Sequence, residues 1–149
     1  MLRKMLAEDP EQPVAYLELG DTLMRAGRVE EAVQCVEKAV AMAGRPTPWL
    51  GMLGSFRGIS GDVAPARAIL EELEARAVSG YVSGFWSALV HAGLGALDEA
   101  FACLGRAVEE RDSSIVYLSA VPRALGLHED PRFPDLLERV GLGHLAPNS

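Results

Sequence analysis

The sequence predicts an all-α protein built from repeated helical hairpins, and three observations support this fold class. Apolar residues recur at helical spacing in consecutive stretches, and a glycine able to end a helix separates each pair of stretches. A period of 34 residues brings small residues back in phase: Gly20 and Gly54; Gly27, Gly61 and Gly95; Ala32, Ala66 and Ala100. A fixed period of this length indicates stacked, like units rather than a domain around one enzyme pocket.

The first unit shows how each hairpin is predicted. One amphipathic stripe is formed by Tyr16, Leu19, Gly20 and Leu23, and a second by Ala32, Val33, Val36, Ala39 and Val40. Between them, Gly27 is expected to adopt a left-handed backbone and end the first helix. Small residues in the first helices are expected to let the two helices of a unit approach closely, namely Gly20, Gly54 and Ala88.

The order Tyr16-x2-Leu19-Gly20-x2-Leu23, followed by Ala32-x3-Val36, resembles the tetratricopeptide repeat, whose signature is W-x2-L-G-x2-Y, then A-x3-F and P. The resemblance implies a right-handed α–α superhelix of three units, at residues 13–46, 47–80 and 81–114. The chain departs from the signature at two places. The late aromatic residue of the first helix is replaced by Leu23, Arg57 and His91, and the closing proline by Gly44, Val78 and Asp112.

The two ends are predicted to cap the array. Residues 1–12 are either an N-terminal cap or the remnant of a preceding repeat, so the chain is either complete or part of a longer array. Residues 115–142 are predicted to form C-terminal capping helices, and residues 143–149 a disordered tail. Ile115 to Leu118 are expected to begin a fourth first-type helix that Pro122 stops. The run from Asp130 to Leu137 resembles the tail that closes such arrays in bacterial regulatory and signalling proteins.

Composition and charge exclude several functional classes. The net charge of −7 argues against partners such as nucleic acid or an anionic membrane. No run of about 18 uncharged apolar residues is present, and the first residues are too short and too charged for a signal peptide, so a cytoplasmic protein is expected. Cys35 and Cys103 recur in phase two units apart, too far for a disulfide, and are interpreted as small core residues in a reducing compartment.

The sequence contains no recognisable catalytic or metal-binding constellation. His91, His128 and His144 show no paired ligand spacing, and His91 is interpreted as a core residue because it lies on an apolar stripe. The glycine-rich stretch at residues 51–58 lacks the ending of a phosphate-binding loop and follows no predicted strand. We therefore expect a protein that is not an enzyme and that has no cofactor.

In the tetratricopeptide family the first helices of successive units line a concave groove that binds peptides. From their positions within the repeat, the resemblance implies that the following residues line this groove: Leu17, Asp21, Met24, Arg25, Met52, Ser55, Ile59, Phe85, Trp86 and Leu89. The groove lacks the basic and amide set that some members use to hold a peptide carboxylate, since only Arg25 is basic. Small residues at Gly51, Ser55 and Gly58 are interpreted as leaving a pocket over the middle unit.

The predicted pocket is walled by Leu17 and Met24 on one side and by Phe85 and Leu89 on the other. The predicted function is a noncatalytic protein-interaction module that binds an apolar or amphipathic segment there, with Leu89→Arg expected to abolish binding and leave the fold intact. The alternative is a structural homodimerisation or assembly domain using the same surface. The filling helix is otherwise this chain's own, for example residues 131–141, or that of another copy. A further interpretation is that the groove is only core.

Overall fold

The computed structural model describes residues 12–121 and 125–141. This part of the chain holds α-helices and 3-10 helices and no strand, so the predicted all-α repeat fold is confirmed. All but the last residue of the predicted N-terminal cap, the stop at Pro122 and the predicted tail lie outside the described residues. Six helices form three successive hairpins: α1 (Pro13–Arg25), α2 (Val29–Met42), α3 (Thr47–Ser60), α4 (Val63–Ser79), α5 (Gly84–Gly93) and α6 (Leu97–Glu109).

The turns within the hairpins are made by the glycines that recur with the repeat. Gly27, Gly61 and Gly95 have φ angles of 80°, 91° and 81°, which an L side chain rarely adopts. Each turn lets the chain reverse between the two helices of a unit, as the sequence predicts.

Within the first unit, Gly20 permits α1 to lie against α2. A Cβ atom added to Gly20 would lie 2.5 Å from Val36 Cγ2 and 3.2 Å from the Ala32 carbonyl oxygen. Gly54 has a different neighbour, because a Cβ there would lie 2.6 Å from Val90 Cγ2 of α5 and 3.1 Å from Ile69 Cγ2 of α4. The recurring glycine thus serves packing within the first unit and also packing between the second and third units.

Two groups of buried side chains make up the interior. The first core joins α1 to α4 and is centred on fully buried residues such as Val36, Leu50 and Phe56. The second core joins α5, α6 and the C-terminal segment, and includes Phe85, Leu104, Leu118, Phe133 and Leu137. Ile59 and Trp86 pack against both cores, so the array is continuous across the junction between α3 and α5.

The C-terminal segment differs from the predicted fourth first-type helix. Ser113–Ala120 is a 3-10 helix, a tighter form that presents side chains with different spacing. It begins where the Asp112 side chain accepts a hydrogen bond from the Ser114 backbone N–H at 2.7 Å. A further 3-10 turn at Leu127–Glu129 leads to the last helix, α7 (Arg132–Arg139).

Helix α7 closes the array by burying its apolar face in the second core, through Phe133, Leu136 and Leu137. At its start, Arg132 pairs with Asp98 of α6 at 2.9 Å, and its guanidinium lies 4.5 Å from the centroid of the Phe101 ring. The interpretation that residues 131–141 fill the groove is wrong, because this helix packs against α6 instead. Within the described residues, the longest and most apolar helices fall short of what a membrane span requires.

Candidate functional site

A cleft of about 560 Å³ lies where the first helices of the three units meet the C-terminal 3-10 helix. Helix α1 contributes two polar side chains, and α3, α5 and the C-terminal segment contribute aromatic and aliphatic ones. The lining residues are Asp21, Arg25, Pro48, Trp49, Met52, Ser55, Phe85, Trp86, Leu89, Tyr117 and Val121. We call this surface the aromatic cleft.

The rings in the aromatic cleft contact one another along one wall. The Trp86 ring meets Phe85 edge-on, with ring centroids 4.9 Å apart, and lies 6.3 Å from the Tyr117 ring at an angle of 40°. Phe85 is buried in the second core, whereas Tyr117 is 57% exposed. The wall therefore runs from a fixed interior ring to a ring that faces solvent.

The charged groups of the aromatic cleft are Asp21 and Arg25, one turn apart on α1. Their side chains form an ion pair at 3.2 Å, with Asp21 33% and Arg25 72% exposed. Ser55 is buried, and its hydroxyl donates a hydrogen bond to the Met52 carbonyl at 2.8 Å, so this hydroxyl proton is already used within α3.

Most of the residues predicted for the groove line the aromatic cleft, namely Asp21, Arg25, Met52, Ser55, Phe85, Trp86 and Leu89. Three others lie outside its lining. Met24 is buried in the first core, Leu17 packs against that core, and Ile59 packs between the two cores. These side chains therefore take part in the contacts between helices.

The interpretation that Gly51 and Gly58 leave open space over the middle unit is wrong. Helix α5 occupies that space, since a Cβ added to Gly58 would lie 2.6 Å from the Gly93 carbonyl carbon, and one added to Gly51 would lie 2.9 Å from Trp86 Cβ. A Cβ added to Gly93 would in turn collide with the backbone of Ser55. The small residues of α3 serve backbone approach between the second and third units.

The predicted effect of Leu89→Arg also needs correction. Leu89 is 7% exposed and Phe85 is 1% exposed, and both belong to the second core. Placing a guanidinium at either position would bury an unpaired charge, which destabilises the fold. Substitutions that test binding must therefore be made at exposed lining residues.

Sequence reasoning missed four lining residues, which are Pro48, Trp49, Tyr117 and Val121. Trp49 and Tyr117 share one position of the repeat, but Ala15 and Ser83 at that position are buried, so the repeat alone did not mark it as cleft lining. The prediction stopped at the third unit and did not extend the phase into the partial fourth unit. Tyr117 lies in the 3-10 helix of this unit and lines the cleft.

Other polar groups lie away from the aromatic cleft. His91 is half-buried, and burial lowers the pKa of its imidazole, although the carboxylates of Glu99 and Glu74 act in the opposite direction. No disulfide joins Cys35 and Cys103; Cys103 is buried as predicted, whereas Cys35 is only partly buried. Across residues 12–121 and 125–141, no three or more His, Cys, Asp or Glu side chains are grouped so as to hold a metal ion.

Comparison with known proteins identifies the repeat. Residues 1–53 match the family model of the tetratricopeptide repeat. No curated protein and no solved structure matches the chain. The matched residues include the first hairpin, and the α3–α4 and α5–α6 hairpins continue its architecture with glycine turns in the same phase. Residues 1–53 are therefore similar to the tetratricopeptide repeat, and the two later hairpins share the helical architecture of the first.

Proposed function

We propose that this chain is a noncatalytic protein-interaction module that binds an apolar or amphipathic segment of a partner in the aromatic cleft. Tetratricopeptide repeats generally mediate protein–protein interaction. The observation that carries the proposal is the partly exposed apolar lining of the cleft, to which α3, α5 and the C-terminal segment contribute. Exposed aromatic side chains that converge in a concavity are typical of binding hot spots.

The size of the cleft limits what it holds. One turn of α-helix with its side chains, about 5.4 Å long and 10–12 Å across, occupies roughly 500 Å³. The cleft of about 560 Å³ therefore accommodates a single helical turn or a comparably short extended segment. We propose that two or three anchoring side chains of the partner enter the cleft, while the rest of the segment lies over the rim.

A peptide selection tests this proposal with a matched pair of variants. Peptides would be selected from a random display library against the intact chain and then measured for binding to Tyr117→Glu and Val78→Glu. Both positions carry exposed apolar side chains, with 57% and 90% exposure, but only Tyr117 lines the cleft. We expect Tyr117→Glu to weaken binding at least about tenfold, as loss of an aromatic anchor does, and Val78→Glu to leave it unchanged.

Selected peptides that bind both variants with wild-type affinity would contradict the proposal. The native fold of each variant would be checked by the urea concentration at half-unfolding, because both substitutions are at exposed sites where small effects are expected. Equal losses of peptide affinity in the two variants would indicate that the peptides bind a surface other than the aromatic cleft.

A second candidate function is homodimerisation through the same surface, because exposed rings in a concavity also suit burial between two copies. Light scattering behind a sizing column would distinguish the two candidate functions, since a monomer has a mass of 16.0 kDa and a dimer twice that mass. A dimer that dissociates in Tyr117→Glu and persists in Val78→Glu would favour the assembly role. A monomer at all concentrations would favour a separate partner.

We also propose a cytoplasmic setting and a protein rather than a nucleic acid or membrane as the partner. The net charge of −7 supports this, because polyanions would be repelled at long range. Thiols at Cys35 and Cys103 suit a reducing compartment.

A further inference from the structure

The ring faces of the aromatic cleft favour a cation over an anion. Trp49, Trp86 and Tyr117 all line the cleft, and the last two rings lie 6.3 Å apart. The face of an aromatic ring carries partial negative charge and attracts ammonium and guanidinium groups, most strongly for tryptophan. A guanidinium also stacks its plane on such faces, so these rings suit an arginine especially well.

The carboxylate of the aromatic cleft lies deeper than its cationic partner. Asp21 is 33% exposed and Arg25 is 72% exposed, so the carboxylate is the more buried of the two groups, and both residues line the cleft. An exposed i,i+4 ion pair of this kind contributes little stability, and its cation is easily exchanged. A ligand cation in the cleft would therefore compete with Arg25 for the Asp21 carboxylate.

The charge of the whole chain acts in the same direction. With 21 acidic and 14 basic residues, the protein attracts cationic segments at long range and repels acidic ones. A positively charged ligand group is thus favoured by the ring faces, by the Asp21 carboxylate and by the negative net charge.

We propose that the bound segment carries an arginine or lysine side chain that packs against the rings lining the aromatic cleft and pairs with Asp21. The inference rests on the proposed function and specifies its ligand: a short segment with one basic residue flanked by apolar ones. The flanking apolar residues would contact the aliphatic part of the lining, such as Met52 and Val121.

Intrinsic fluorescence gives a direct test, because the chain has two tryptophans and both line the cleft. Three capped five-residue peptides would be titrated into the full chain: one with arginine between leucines, one with citrulline in its place and one with glutamate. Citrulline keeps the shape of arginine without its charge. We expect the arginine peptide to bind about tenfold more tightly than the citrulline peptide, and the glutamate peptide most weakly.

Amino-acid substitutions test which side chains cause the preference for the arginine peptide. Asp21→Asn should reduce the arginine preference to about twofold, since it keeps the shape and removes the charge. Arg25→Gln should strengthen arginine binding, because it removes the competing cation. Tyr117→Phe should leave binding unchanged, whereas Tyr117→Leu should weaken it about two- to fivefold, the range for one exposed cation–π contact.

Equal affinity for the arginine and citrulline peptides, or tighter binding of the glutamate peptide, would overturn the inference while leaving the proposed function standing. Failure of all three peptides to bind at about 1 mM would also overturn it. The proposed function fails separately, if peptides selected by display bind the chain irrespective of Tyr117. A loss of arginine preference in high salt, where charges are screened, would support the ion pair with Asp21.

Discussion

Replacing Gly58 with alanine should destabilise the protein, although the same change inside a helix ordinarily stabilises it. Gly58 lies in α3 and has no positive φ, so an alanine fits the local backbone. Its Cβ, however, would lie 2.6 Å from the carbonyl carbon and 2.8 Å from the carbonyl oxygen of Gly93, and 2.8 Å from the backbone nitrogen of Leu94. Backbone atoms cannot rotate away as the end of a side chain can.

The expected magnitude follows from two opposing effects. Carbon atoms in contact ordinarily lie about 3.5–4.0 Å apart, so α3 and α5 must separate by roughly 1 Å. Inserting a methyl group into such a contact costs about 1–3 kcal/mol, and occasionally more. Alanine recovers up to about 1 kcal/mol of helix propensity. We expect a net loss of about 1–2 kcal/mol in the free energy of unfolding.

Gly105→Ala is the matched control. Gly105 lies inside α6, and a Cβ added there would have no neighbouring atom within 4 Å. This variant should gain up to about 1 kcal/mol, so the two alanine variants should differ by about 1–3 kcal/mol and in sign. Urea unfolding followed by tryptophan fluorescence measures both. The reasoning would be refuted if Gly58→Ala were as stable as Gly105→Ala.

Two further predictions concern the third unit. Ser83 is the N-cap of α5, and its hydroxyl accepts a hydrogen bond from the Phe85 backbone N–H at 3.1 Å. Ser83→Ala should therefore lower the free energy of unfolding by about 1 kcal/mol, whereas Ser83→Gly should lower it by only a few tenths. Equal losses in the two variants would exclude the cap as the cause. The pKa of His91 is lowered by burial, so the unfolded state binds more protons and the wild type should lose stability as the pH falls below about 6.5. His91→Gln should remove that part of the slope, and parallel stability curves between about pH 7.5 and pH 5 would contradict the prediction.

The hairpins could be predicted from the sequence because each helix and the turn after it depend on residues that are close together in the chain. Gly27, Gly61 and Gly95 share one phase and one backbone conformation, and each follows an apolar stripe that forms a helix. Asp21, Ser55 and Leu89 share one position of the repeat and all line the cleft, whereas Phe85 lines it and its equivalent Leu17 does not.

The position of a residue within the repeat does not show how far apart the helices lie. The glycines of α3 indicated a missing volume, but a sequence does not show whether a ligand or a neighbouring backbone fills it. In the structure α5 fills it, with Trp86 against Gly51 and Gly93 against Gly58. The last partial unit was also misjudged, because Ser113–Ala120 winds as a 3-10 helix and contributes Tyr117 to the cleft.

The close approach of α3 and α5 also fixes the recognition surface. The backbone and Cβ of Trp86 lie directly over Gly51, so any larger residue at Gly51 would displace the start of its side chain. The Trp86 ring is in turn held edge-on by the buried Phe85 ring and lies beside the exposed Tyr117 ring. The aromatic wall is therefore positioned by packing within the array, which reduces the entropy that a ligand must overcome on binding. Substitutions at exposed residues such as Tyr117 and Arg25 can then alter the choice of ligand with little effect on stability, whereas substitutions at Gly51 affect both.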